Sequence, residues 1–114
     1  MTSRDQHYLL DILIAARDAL SFAGDMSAED FEKNALVRYA VLHCLAIIGE
    51  AAGRIAGSAA AELPGLPWRK MKNLRNVIVH DYEGVNLPVI WTIVTVELPE
   101  VVRVLEPLFP ERRQ

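Results

Sequence analysis

Between Arg75 and Tyr82 the chain reads Arg-Asn-Val-Ile-Val-His-Asp-Tyr, gathering a fixed cation, an imidazole and a phenol. The Arg75 guanidinium is always protonated and offers a planar fork of donors that matches phosphate oxygens. His80, with an ordinary pKa near ~6.5, gives and takes protons at cellular pH. A cation that holds a phosphate, beside a group that moves a proton, is the minimum equipment for cleaving a phosphodiester without metal. The same residues admit a structural reading, in which Arg75 caps a buried carboxylate and His80 ends a helix, where its charged form suits the dipole. One Arg and one His at this interval arise by chance in many helices, so spacing alone favours the structural reading.

The surroundings carry charge unevenly. Arg69, Lys70, Lys72 and Arg75 stand within seven residues with no acid among them, directly before His80. Such a basic stripe suits an RNA strand held at one place; its plain alternative is a solvated helix face. The formal net charge of −3 argues against a protein that coats nucleic acid through many phosphate contacts. Cys44 is the single cysteine, which excludes an internal disulfide and a cysteine zinc cage and leaves it as an inert core residue. With 114 residues the chain is expected to form one domain, residues 1–114, and its 52% hydrophobic content exceeds what a monomer of this size buries. An oligomer absorbs the excess. The opening residues, Met1 to His7, hold no apolar signal core, and the uncharged run from Leu87 to Val96 is far shorter than the ~20 residues that span a bilayer. A soluble, cytoplasmic protein with no membrane partner is expected.

The elements that position these residues follow from periodicity. Arg4 to Ala23 reads as a helix, with Tyr8, Ile12, Ala15, Ala16 and Ala19 on one stripe and Leu9, Leu13 and Leu20 on its neighbour. Asp11 lies at the edge of that face, where pairing with an arginine is expected. Gly24-Asp25-Met26 breaks the helix, and Ser27 to Asp30 has the form of an N-terminal capping box for a short one. Asn34 caps a longer helix whose apolar stripe is read as Leu36, Tyr39, Ala40, His43, Ile47, Ala51 and Ile55, with His43 as a core histidine. Gly49, Gly53 and Gly57 recur every four residues, and close helix approach is the usual reason to accept ~1 kcal/mol for each; fraying after Gly57 is the alternative. Glu50 and Arg54 are spaced for a side-chain pair.

Leu63-Pro64-Gly65-Leu66-Pro67 separates this helix from the next, which buries Trp68, Met71, Leu74 and Ile78 and reaches His80. Gly84 marks a turn, and Asn86 caps a last helix through Leu105, kinked at Pro99, with a frayed tail beyond. The β-branched residues of that segment also suit a strand, but a lone strand has no partner in a helical chain. At ~100° per residue, positions 75 and 80 lie ~140° apart on one regular helix, whereas Asn76 and His80 share a face. Convergence of Arg75 and His80 on one phosphate therefore needs a loosened helix end, a long arginine reach, or two copies meeting across a two-fold axis. Dimerisation requires the fewest assumptions.

The Arg75-x4-His80-x-Tyr82 pattern, carried by Trp68 to Asn76 and followed by Glu83-Gly84-Val85-Asn86, resembles the signature of HepT-like toxins, a branch of the HEPN superfamily. Ile48-Gly49-Glu50-Ala51-Ala52, Trp91 and Leu98-Pro99 match in type and order, so the likeness covers nearly the whole chain. It implies an all-α bundle of about five helices, a homodimer, and a cognate minimal nucleotidyltransferase as antitoxin. It also implies metal-independent cleavage of RNA without a cofactor. Arg75 and His80 are then catalytic, Asn76 orients His80 or the RNA, and Arg69, Lys70 and Lys72 bind the strand. Tyr82 is the phenol to which the antitoxin transfers AMP, and Glu50 borders the cleft. The other class of function open to the sequence is a non-catalytic protein that binds a nucleotidyltransferase and is modified by it.

Overall fold

Four of the helices begin where a side chain satisfies the first backbone donors. The computed structural model describes residues 1–80 and 86–112, at side-chain level for all of these except Val77, Val79, His80 and Arg112. Thr2 caps α1 (Ser3–Ala23) in a capping box with Asp5, and Ser27 does the same with Asp30 for α2 (Ala28–Lys33). The Asn34 side chain accepts from the Val37 amide at 3.0 Å and starts α3 (Ala35–Arg54). Gly24 ends α1 with φ of 51°, a conformation that favours glycine. The long α3 stops earlier than its composition suggests. Ile55 and Ala56 turn extended, and Gly57 opens the separate short α4 (Gly57–Ala61).

Helix α5 (Trp68–His80) follows the proline-rich break, its start tied down by the indole of Trp68, which donates to the Leu63 carbonyl at 2.9 Å. Asn86 caps α6 (Leu87–Thr92), with Pro88 in the first turn, and α6 runs through a π turn (Ile93–Glu97) into α7 (Leu98–Leu105). The strand alternative for this segment is excluded. Pro99 neither ends nor sharply breaks the helix: it has no N–H for the Thr95 carbonyl, and the wide turn just before it, closed by Leu98 N–H on the Ile93 carbonyl, accommodates the missing bond. The expected frayed tail is instead two 3-10 turns, Glu106–Leu108 and Pro110–Arg112, with Glu106 bonded to Arg17 at 2.8 Å. The Gly84 turn and the last two residues lie outside the described residues.

The result is an all-α, HEPN-type bundle in which α3 sits between α1 and α5, while α7 closes on α1. Leu9, Ile12, Leu13, Val41, Leu45, Ile48, Ile90, Val94, Leu98, Val101 and Leu105 make its core, and α2 inserts Phe31 against the Trp91 ring with centroids 5.0 Å apart. The buried face of α3 is Val41, Cys44, Leu45, Ile48, Gly49, Ala51 and Ala52. That corrects the first half of the expected stripe, while Ala51 and Ile55 are buried as expected. Leu36 is 81% exposed, Tyr39 is 66% exposed, and His43 is a surface residue rather than a core histidine. The helix is apolar on nearly every side, so periodicity could not select the face that packs. Among the described residues α3 is also the helix long and apolar enough to cross a membrane by length and composition, and it packs with one side against α1 and α5.

Buried Asp5 ties the ends of the bundle together. Its carboxylate accepts the Thr2 amide at 3.1 Å and the Ala56 amide at 3.3 Å, fixing the start of α1 to the break between α3 and α4. These two backbone hydrogen bonds, Thr2 first, hold its pKa below the ordinary aspartate value.

Candidate functional site

Met71 and Leu74 anchor α5 in the core and leave Lys72, Arg75 and Asn76 on the exposed side. The place of Arg75 is set by Gly49 on α3. A β-carbon on Gly49 would lie 2.8 Å from the Arg75 amide nitrogen, 3.2 Å from Arg75 Cβ and 3.3 Å from the Met71 carbonyl oxygen. Only glycine lets α3 and α5 approach this closely at the point where the guanidinium departs. The close-approach reading of the glycine series holds at this position. Around Gly53 and Gly57 the space is open to at least 4 Å, and Gly57 belongs to a different helix.

One residue beyond Gly49, Glu50 receives the arginine: Oε2 lies 2.8 Å from an Arg75 terminal nitrogen. Its other oxygen accepts from Arg54 Nε at 3.0 Å and from the Arg54 terminal nitrogen at 2.8 Å, completing the spacing expected of that pair. The Arg54 hydrogen bonds first, and the Arg75 charge second, hold the Glu50 pKa below the ordinary glutamate value. Arg54 is held charged chiefly by Glu50, with the Tyr8 hydroxyl adding to it. With Arg75 63% and Glu50 40% exposed, their pair faces solvent, where ion pairs are weak and readily exchanged.

Tyr8, Asp11, Ala46, Ile47, Glu50, Ala51 and Arg75 enclose a cleft of about 350 Å³ between α1, α3 and α5. Asp11 meets His7 there, Oδ2 to Nε2 at 3.6 Å, rather than the arginine expected from sequence. Arg4 lies over the Tyr8 ring, 5.6 Å from its centroid. Tyr8 and Asp11 were legible only as the edge of an apolar stripe. Their spacing of three residues on α1 puts them on one face, but nothing in the sequence brings them to Arg75.

The basic stripe keeps less of its charge than its composition suggests. Arg69, Lys70, Lys72, Asn73 and Asn76 line a shallow depression along α5, but the Lys70 ammonium pairs with Glu97 at 3.1 Å. Arg69, Lys72 and Asn76 are exposed. His80 is the final residue of α5, one helical turn beyond Asn76, so the backbone places these two positions on a common face while Arg75 turns toward α3. The His80 side chain and all of Tyr82 lie outside what is described. The structure thus joins Arg75 to Glu50, Arg54 and the Tyr8 cleft.

The chain also compares closely with known proteins. A family model described as "Ribonuclease HepT-like" matches residues 12–108. A protein of Methanocaldococcus jannaschii named "Putative RNase MJ1380" is 36% identical over 107 residues, 93% of this chain and 98% of the relative. A second from the same organism, "Putative RNase MJ0125", is 32% identical over 97% of both chains. "Probable ribonuclease HepT" of Thermococcus cleftensis is 33% identical over 101 residues, 89% of this chain and 92% of the relative. No solved structure matches significantly. With the family match spanning most of the bundle, from α1 to the turn after α7, the chain belongs to the HepT-like ribonuclease family.

Proposed function

We propose that this chain is a ribonuclease toxin that cuts RNA by metal-independent transesterification as a cytoplasmic homodimer, restrained by a cognate minimal nucleotidyltransferase. The observation that carries the reading is the Arg75–Glu50 pair. An exposed guanidinium, fixed at its root by Gly49 and facing a carboxylate, is a cation whose anionic partner a phosphate can replace. Glu50 keeps Arg54 when it gives up Arg75, so the exchange strands no charge.

In the reaction, the ribose 2′-oxygen attacks phosphorus and its proton passes to a base, while the 5′-oxygen leaves and takes a proton. The products are a 2′,3′-cyclic phosphate and a 5′-hydroxyl. His80 moves one of these protons and Arg75 stabilises the charge on the phosphoryl oxygens. Asn76 orients His80 or the RNA, and Arg69, Lys70 and Lys72 hold the strand. The ~140° between positions 75 and 80 is bridged by a second copy across a two-fold axis, in keeping with the apolar Leu36, Tyr39 and Val96 left exposed on one chain. In the silenced state the antitoxin transfers AMP from ATP to the Tyr82 phenol with release of pyrophosphate, bringing phosphate charge beside Arg75.

The test is incubation of purified protein with RNA in chelator. Cleavage by the wild type, its loss in folded His80→Ala, and an AMP adduct on the Tyr82 peptide after co-expression with the nucleotidyltransferase are expected. A clean His80→Ala preparation that cuts as fast as wild type refutes the mechanism. A wild-type protein that is adducted yet never cuts RNA is instead a non-catalytic partner of the nucleotidyltransferase.

A further inference from the structure

The cleft beside Arg75 holds groups that phosphate chemistry does not use. Ala46, Ile47 and Ala51 of α3 give it an apolar lining, and α1 adds Tyr8 and Asp11. At about 350 Å³ it falls in the range of small-molecule pockets, roughly 300–1,000 Å³. An apolar lining with an aromatic side chain accepts the face of a nucleobase, as single-stranded RNA sites commonly do. Arg75 lines the same cleft, so a base lying in it belongs to the nucleotide whose phosphate the guanidinium would hold.

We propose that this cleft reads a guanine attached to the scissile phosphate, with Tyr8 stacking on the base and Asp11 accepting from its Watson–Crick edge. The proposal rests on the ribonuclease reading and adds base preference to it. An ionised carboxylate only accepts hydrogen bonds. Guanine alone among the four bases presents two adjacent donors, N1–H and the N2 amine, to match its two oxygens. Uracil offers one donor flanked by carbonyl oxygens that the carboxylate repels. Adenine and cytosine set one amine beside a bare ring nitrogen, which likewise faces the carboxylate with a lone pair. Glu50, the other carboxylate in the cleft, stays tied to Arg54 through Oε1 when Arg75 turns to phosphate, so Asp11, which has no hydrogen bond to give up among the described residues, is the carboxylate whose two oxygens can turn together to a base. His7 stands 3.6 Å from Asp11 Oδ2, beyond hydrogen-bond length, and leaves the carboxylate able to turn to a ligand.

Two measurements test this on the full chain. In NMR titrations with GMP, AMP, CMP and UMP, GMP should bind roughly tenfold more tightly than UMP or AMP, the ratio expected of a charge-assisted hydrogen bond. Asp11→Asn, which turns an acceptor pair into one donor and one acceptor, should bring the GMP to AMP ratio to about one. Tyr8→Leu should weaken all four. In parallel, cleavage of a random-sequence RNA should concentrate at phosphates next to guanine, and Asp11→Asn should level that preference. A wild-type GMP to UMP ratio near one, an unchanged ratio in Asp11→Asn, or cleavage indifferent to sequence overturns the subsite while leaving the nuclease intact. Asp11-dependent GMP binding without any RNA cleavage does the reverse, sustaining the subsite and removing the nuclease.

Discussion

Replacing Gly49 by alanine tests whether the approach of α3 to α5 sets both stability and the place of Arg75. The added β-carbon would meet the Arg75 amide nitrogen at 2.8 Å, whereas ordinary contact starts at 3.4 Å, so the helices must part by about 0.6 Å. Both obstructing groups nearest the contact are on or next to the backbone of α5 and cannot rotate away. Overpacking of this kind costs about 1–3 kcal/mol. Removing a glycine from a helix returns about 1 kcal/mol. The net expectation is a loss of about 0–2 kcal/mol. Gly53→Ala is the control, because it sits in the same helix with nothing within 4 Å and should gain up to about 1 kcal/mol. The two variants should thus differ by about 1–3 kcal/mol, or about 4–12 °C in Tm for a domain of this size, read by thermal unfolding. Since a displacement near 1 Å in a catalytic group can cost about a hundredfold, RNA cleavage by Gly49→Ala should fall by roughly tenfold while Gly53→Ala keeps its rate. A Gly49→Ala protein as stable as Gly53→Ala would refute the argument from contact distance.

Three further outcomes are expected. The Glu50 pKa is lowered in the fold, so its contribution is present above the unfolded pKa and disappears as pH falls through the folded one; the Tm gap between wild type and Glu50→Gln should therefore be widest near neutrality and close as the pH falls below the ordinary glutamate range, and a constant gap would contradict the pairing. Phe31→Ala removes a fully buried ring packed at a tilt against Trp91 and should cost about 3–5 kcal/mol in urea unfolding, with a loss under about 1 kcal/mol meaning that α2 is not part of the core. Burial first, and the Asp18 charge second, push the Cys44 thiol above its ordinary pKa, so a disulfide reagent should label it only as the protein unfolds; rapid labelling of the native protein would contradict that burial.

Local chemistry was legible wherever it acts within a few residues. The caps at Ser27, Asn34 and Asn86, the break at Gly24 and the Glu50 and Arg54 spacing all stand as read, because each depends on neighbours along the chain. What failed depended on packing. The face of α3 was misassigned because nearly all its sides are apolar, and the end of α3 at Arg54 is set by the extended residues that Asp5 grips from α1. Of the candidate site, Arg75, Asn76 and the basic stripe were identifiable by type, but the Arg75 to Glu50 contact spans two helices and leaves no periodic trace. The Tyr8 and Asp11 side of the cleft was hidden for the same reason.

The π turn at Ile93–Glu97 bears on how this chain can change in length. It holds one more residue than a regular helical path needs, and it carries Ile90, Val94 and Leu98, spaced by four, onto one buried line with Val101 and Leu105. Deleting a single residue there would give an unbroken α-helix with better hydrogen bonds, and because the wide turn already absorbs the extra residue, Leu98, Val101 and Leu105 would keep roughly the face they now turn to α1. The same deletion inside α7, where no residue is spare, would turn everything beyond it by about 100° and carry Leu105 out of the core. The apparent defect is therefore the place where this segment can change in length without unmaking the core.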